Sequence, residues 1–93
     1  MKLPTLYTPL LPAEKKAVRE EYVKLQGGFC WHCKTPLSGE PLAQAKQMKV
    51  NPQRFPPNFF KYPVHLHHDH NTDMTLGAVH NHCNAVLWQY FGE

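Results

Sequence analysis

From Pro12 to Gln26 apolar residues return every three or four positions, at Ala17, Val18, Tyr22 and Leu25, between Lys15, Lys16, Arg19, Glu20, Glu21 and Lys24. That period, a proline suited to a first helical turn and the Gly27-Gly28 stop predict an amphipathic helix over 13–26 with a narrow buried face. The period changes at Val64. Val64 and Leu66, then Leu76 and Ala78, are spaced by twos, and Thr75 and Val79 add β-branched weight. Two short strands around a polar turn at Asp69 to Asp73 are predicted, with His65 and His67 on one face of the first strand and Leu66 and His68 on the other. After His80 the helical period resumes at Val86, Leu87, Tyr90 and Phe91, so a helix is expected from near Asn81.

The remaining segments lack a clear period. Residues 1–12 carry Pro4, Pro9 and Pro12 among Leu3, Leu6, Tyr7, Leu10 and Leu11. Prolines interrupt backbone pairing, so this reads as an extended apolar arm that packs on the body or on a partner. Residues 40–63 hold five prolines together with Phe55, Phe59, Phe60 and Tyr62. A short helix is expected within Ala43 to Met48, and the rest as an ordered aromatic loop, since so many rings are not left in water. A loop of that length in a small domain is often functional. These elements predict one α+β domain spanning residues 1–93.

A chain of 93 residues buries only a thin core, and a structural metal would add needed stability. The formal charge of +3 is mildly basic and permits a polyanionic partner without requiring one. Three cysteines behind a start with no apolar leader do not suggest a disulfide framework. No apolar run is long enough to cross a bilayer, so a soluble protein of a reducing cytoplasm, with no membrane partner, is expected. Cysteines there are more often metal ligands.

Their spacing supports this. Cys30-Trp31-His32-Cys33 follows the Gly27-Gly28 turn, and two thiolates separated by two residues can grip one ion from a tight knuckle. A redox role for this pair would need a strand before it and a helix after it, but Gly and Pro surround it. The complementary half is His80-Asn81-His82-Cys83. Cys30, Cys33, His80 and Cys83 together make a Cys₃His tetrahedral set for zinc. His32 and His82 are alternative nitrogen ligands, disfavoured because each sits beside a cysteine.

Six of the seven histidines lie between Val64 and Asn84. Imidazole moves protons near pH 7 and, when neutral, binds transition metals, so the crowding is a chemical signal. Leu66-His67-His68-Asp69-His70, Thr72, Gly77 and His80-x-x-Cys83-Asn84, with the earlier cysteine pair after Gln26-Gly27-Gly28, resemble the HNH nucleases, most closely the phage recombination endonuclease VII type. The match runs without a gap from Leu66 to Asn84, and with the knuckle it covers about two thirds of the chain. Four positions depart from that pattern: His67 stands for a metal-binding Asp, His80 for a zinc Cys, Asp73 for a turn Gly, and Leu76 for an Arg. The large carboxy-terminal portion of the junction-resolving members has no counterpart here, so their substrate is not implied.

The resemblance implies a ββα-metal fold and a metal-dependent DNA endonuclease. His68 would be the general base, while His67 and Asn84 would hold one catalytic divalent ion. Asp69 and His70 would orient a histidine or touch a phosphate, or, on the plainer reading, stabilise the turn. A nitrogen ligand at His67 favours Mn²⁺, Ni²⁺ or Co²⁺ at least as much as Mg²⁺. The implied partner is double-stranded DNA, nicked or cut through both strands, with phage packaging or replication proteins as possible companions; a monomer is favoured, and the cytoplasm is that of an infected host if the chain is phage-encoded. The rival readings are a non-catalytic zinc-stabilised DNA-binding module and a protein-interaction module; the first leaves His67, His68, Asp69, His70 and Asn84 without a task.

Overall fold

A computed structural model of the chain describes residues 1–92; Glu93, the last residue of the expected domain, lies outside the described residues. Helix α1 runs Pro12–Leu25, one residue earlier at each end than the periodicity suggests. Pro12 takes the first helical position, and the Glu14 carboxylate accepts a hydrogen bond from the Leu11 backbone N–H at 2.9 Å. The stop uses both glycines. Gly27 and Gly28 have φ of 66° and 84°, and their N–H groups bond back to Lys24 and Val23. This doubly bonded ending needs the left-handed backbone that glycine adopts without steric cost.

The chain then makes the knuckle. Cys30 N–H bonds to Thr35 O at 2.8 Å, Lys34 N–H to Cys30 O at 3.0 Å and Leu37 N–H to Gly28 O at 2.8 Å, folding residues 28–37 into a tight hairpin. Helix α2, Ala43–Lys46, and a 3₁₀ turn at Pro52–Arg54 punctuate the segment that follows. Strands β1, Val64–His68, and β2, Thr75–His80, pair antiparallel, and helix α3, Asn81–Phe91, follows with no linker. The expected strand, turn, strand, helix order is observed, within an α+β architecture of one two-stranded sheet and three helices. Helices α1 and α3 both pack on the hairpin, and α2 packs on α3.

One register detail departs from simple alternation. Val64 pairs with His80 and His67 with Gly77, but His68 pairs with Thr75, so β2 carries one extra residue at that end. A bulge of this kind bends the strand and re-aims side chains. Leu66, His67 and His68 all border the same cavity, although alternation assigns His67 to the opposite face from the other two.

The free edge of β2 is covered along its length, as an exposed strand edge must be. Thr75 N–H bonds to Thr5 O at 2.9 Å and Tyr7 N–H to Asp73 O at 2.8 Å, while both carboxylate oxygens of Asp73 accept bonds from Thr8. The apolar arm therefore docks on the body. Further along, Trp31 N–H donates to Ala78 O at 2.9 Å. The Gln26 side-chain amide brackets the same residue, accepting from Ala78 N–H and donating to Ala78 O, each at 2.9 Å. A glutamine thus acts as a one-residue strand.

The aromatic loop is less enclosed than its composition suggests. Phe55, Phe59 and Phe60 pack against one another, yet Phe60 and Tyr62 remain exposed. The core sits elsewhere, where Cys30, Cys33, Leu37, Ala45, Ala78, Val79 and Cys83 cluster with Tyr22, Val23, Trp31 and Val64 around them. No helix among the described residues is long and apolar enough to cross a membrane.

Gly77 shows how closely these parts approach. A Cβ there would lie 2.7 Å from Gln26 Oε1 and 2.7 Å from Trp31 Cγ. Gln26 is held by three hydrogen bonds and Trp31 by the strand, so neither can step aside cheaply. Gly77→Ala is expected to destabilise the fold by about 1–3 kcal/mol. A thermal melt would report this as a Tm lower by roughly 4–8 °C per kcal/mol, whereas an unchanged melt would refute the tight packing.

Candidate functional site

Two clusters emerge on opposite ends of the same hairpin. At the β2–α3 junction, Cys30 and Cys33 from the knuckle meet His80 and Cys83, with one ligand atom from each within 4.8 Å of every other. These four residues could hold a metal ion. Cys33 Sγ and Cys83 Sγ lie 3.4 and 3.7 Å from His80 Nδ1. Tetrahedral zinc, with bonds of about 2.3 Å to sulfur and 2.0–2.1 Å to nitrogen, places such atoms about 3.6 Å apart. The measured separations bracket that value.

The surroundings select the histidine nitrogen. His80 Nε2 lies 2.9 Å from the Pro36 carbonyl, which can only accept, so Nε2 carries the proton and Nδ1 turns its lone pair toward the sulfurs. The Thr35 hydroxyl, 3.1 Å from Cys33 Sγ, supports that thiolate from behind. Neither His82, whose Nε2 lies 2.9 Å from Ala45 O, nor His32 joins the cluster. Three thiols in one buried pocket oppose one another's ionisation. The hydrogen bond from Cys83 pulls Cys30 down to about 4, and that same bond and burial push Cys83 up. A divalent cation is the group that lets all three ionise together.

The second cluster lies at the other end of the strands. His67 is 1% exposed, and its Nδ1 lies 3.2 Å from Asn84 Oδ1. Two ligands about 2.1 Å from a shared ion, at right angles, sit about 3.0 Å apart, so this pair has suitable spacing. Asn84 is itself aimed: its Nδ2 lies 3.1 Å from His65 Nδ1, so the amide spans both histidines of one strand face. Burial holds the His65 pKa down, and a neutral ring can accept that bond. His65 received no role from the sequence. The signal available was its period-two relation to His67.

His68 stands beside this pair within one stack of rings. Tyr7 from the arm lies on one side at 3.8 Å between centroids and 6° between planes, and His70 on the other at 4.6 Å and 17°. Burial, reinforced by the charge of His70, lowers the His68 pKa below the usual imidazole value. His70 is anchored by Trp88, whose Nε1 donates to His70 Nε2 at 3.2 Å. Lys15 rests over the far face of the stack, 4.3 Å from the Tyr7 ring centroid.

Asp69 occupies a different position. Its carboxylate accepts from Asn71 N–H at 2.7 Å and Thr72 N–H at 3.2 Å, which stabilises the turn between the strands, and it does not line the cavity. Asp73 has φ of 62°, the left-handed conformation that a glycine would adopt there. His67, His68, His70 and Asn84 all border one cavity of about 280 Å³, whose remaining lining comes from Leu66, Tyr7, Trp88 and the aromatic loop. Comparison with known protein families, curated proteins and solved structures finds no match to this chain.

Proposed function

We propose that the chain is a metal-dependent DNA endonuclease of the HNH kind, its β1, β2 and α3 forming a ββα-metal core and its Cys₃His cluster a structural zinc site. One observation carries the reading: strand, turn, strand and helix bring His67, His68 and Asn84 to a single cavity, away from the four-ligand cluster. A binding module would need only the second of these.

Phosphodiester hydrolysis requires a nucleophile in line with the leaving oxygen and relief of the negative charge that grows as the bond breaks. His68 takes the proton from the attacking water, and its ring plane is fixed for this by Tyr7 and His70. His67 and Asn84 hold the divalent ion, with Asn84 oriented by His65. When bound, that ion supplies Lewis acidity to the scissile phosphate and to the leaving 3′ oxygen. His70 acts by holding His68, and Asp69 by holding the turn. The structural ion gives a thin core its closure.

The test is incubation of purified protein with supercoiled plasmid and added Mn²⁺. Conversion to nicked or linear forms is expected with Mn²⁺, Ni²⁺ or Co²⁺ at rates equal to or above that with Mg²⁺, since His67 offers nitrogen where Mg²⁺ prefers oxygen. Failure to cut either supercoiled plasmid or a single-stranded oligonucleotide under every metal would remove the nuclease reading and leave a zinc-stabilised binding module.

A further inference from the structure

Beside the histidines the cavity is walled by rings that the chemistry of phosphodiester cleavage does not use. Phe55 and Phe59, from the loop, face Trp88 of α3 and the stacked Tyr7, His68 and His70. Phe55 and Phe59 lie 4.6 Å apart, and Phe55 meets Trp88 edge to face at 6.0 Å. The wall is built in advance. Gln89 of α3 bonds the backbone at Lys49 and Asn51, and Asn81 bonds the carbonyls of Phe60 and Tyr62, so α3 staples the loop on both sides of Phe55 and Phe59. Trp88 nonetheless stays 42% exposed, and Arg54, exposed too, lines the same space.

We infer that this cavity is a base-binding subsite, in which the nucleotide flanking the scissile phosphate is received unstacked, so that the substrate is a single DNA strand rather than an intact duplex. The inference deepens the nuclease reading and rests on it for the position of the phosphate. With that phosphate at His67, His68 and Asn84, its own nucleotide lies within reach of Phe55, Phe59 and Trp88. A base still paired in a duplex cannot enter a recess walled by rings, whereas an unpaired one exchanges base stacking for aromatic stacking. The volume, about 280 Å³, falls just below the range of drug-sized ligand pockets, which begins at about 300 Å³. Charge agrees: Arg54 lines the cavity and Lys15 lies over the Tyr7 ring of the adjoining stack, while the Asp69 and Asp73 carboxylates are engaged by backbone or arm donors.

The experiment separates binding from cleavage. Fluorescence anisotropy with the His68→Ala chain, which leaves the strand uncut, compares a short oligothymidylate, the same backbone carrying abasic sites, and a duplex of equal length. The oligothymidylate is expected to bind about tenfold more tightly than either alternative. Trp88→Leu in that background should abolish the preference, and Trp88→Phe, which keeps a ring but loses the bond to His70, should retain it; melts confirm that both variants fold. Equal affinity for the three DNAs, or a preference indifferent to Trp88→Leu, would overturn the subsite. Plasmid or oligonucleotide cleavage by the native chain is scored apart. Cleavage without base preference removes the subsite alone, while base preference without cleavage supports the subsite and removes the nuclease reading.

Discussion

Replacing His68 by alanine is expected to lower DNA cleavage by about 10²–10⁴-fold, the usual contribution of a positioned general base. The fold should survive. His68 is half-buried at one end of the hairpin and outside the hydrophobic cluster, and its main neighbours are two rings it stacks upon. Zinc content should stay at one ion per chain and the melt should remain cooperative, because none of Cys30, Cys33, His80 or Cys83 is touched. His70→Ala supplies the contrast. It removes one face of the stack and the bond from Trp88 but leaves the base in place, so a smaller loss is expected. Cleavage by His68→Ala at the native rate would show that another group takes the proton.

The second large effect concerns stability. Cys83→Ser, or treatment with a strong chelator, is expected to abolish cooperative folding at 25 °C. Cys83 is fully buried at the centre of the apolar cluster, and Cys30 and Cys33 belong to that same cluster, so the residues that would hold zinc are also the core. Structural zinc sites contribute about 10–16 kcal/mol of apparent binding free energy at pH 7, against the 5–15 kcal/mol by which domains are typically stable. Losing the ion therefore outweighs what the few buried aliphatic groups supply. His82→Ala is the control, because that ring lies outside the four-residue cluster and its loss should leave metal content unchanged. Far-UV circular dichroism and metal analysis decide the matter. A metal-free chain melting cooperatively at the native temperature would refute it.

Much of this arrangement was legible because it depends on short spacings. The two Cys/His pairs sit at the ends of turns, and the alternation of Val64, Leu66, Leu76 and Ala78 predicts the hairpin that carries His80 to the knuckle. What escaped the sequence depends on contacts between distant residues or on local irregularities. The extra residue of β2 is one, and the meeting of Leu66, His67 and His68 at one cavity is another; no local signal marks either. Gln26 as a substitute strand and Tyr7 as a ring against His68 join positions 52 and 61 residues apart along the chain. A glutamine at a helix end and a tyrosine in a proline-rich arm look ordinary until the partner is known. The aromatic loop was recognised as ordered, but its position over the histidines follows from hydrogen bonds made by Asn81 and Gln89.

Those two α3 residues have a consequence for how the molecule can change. They pin the backbone at Lys49–Asn51 and at Phe60–Tyr62, so the intervening stretch is anchored at both ends. Doubling such a loop costs only about 0.6 kcal/mol of closure entropy. Residues 52–59 are in this sense an interchangeable cassette: grafting a different octapeptide there would replace the wall that Phe55 and Phe59 give the cavity while the hairpin and α3 beneath keep their places.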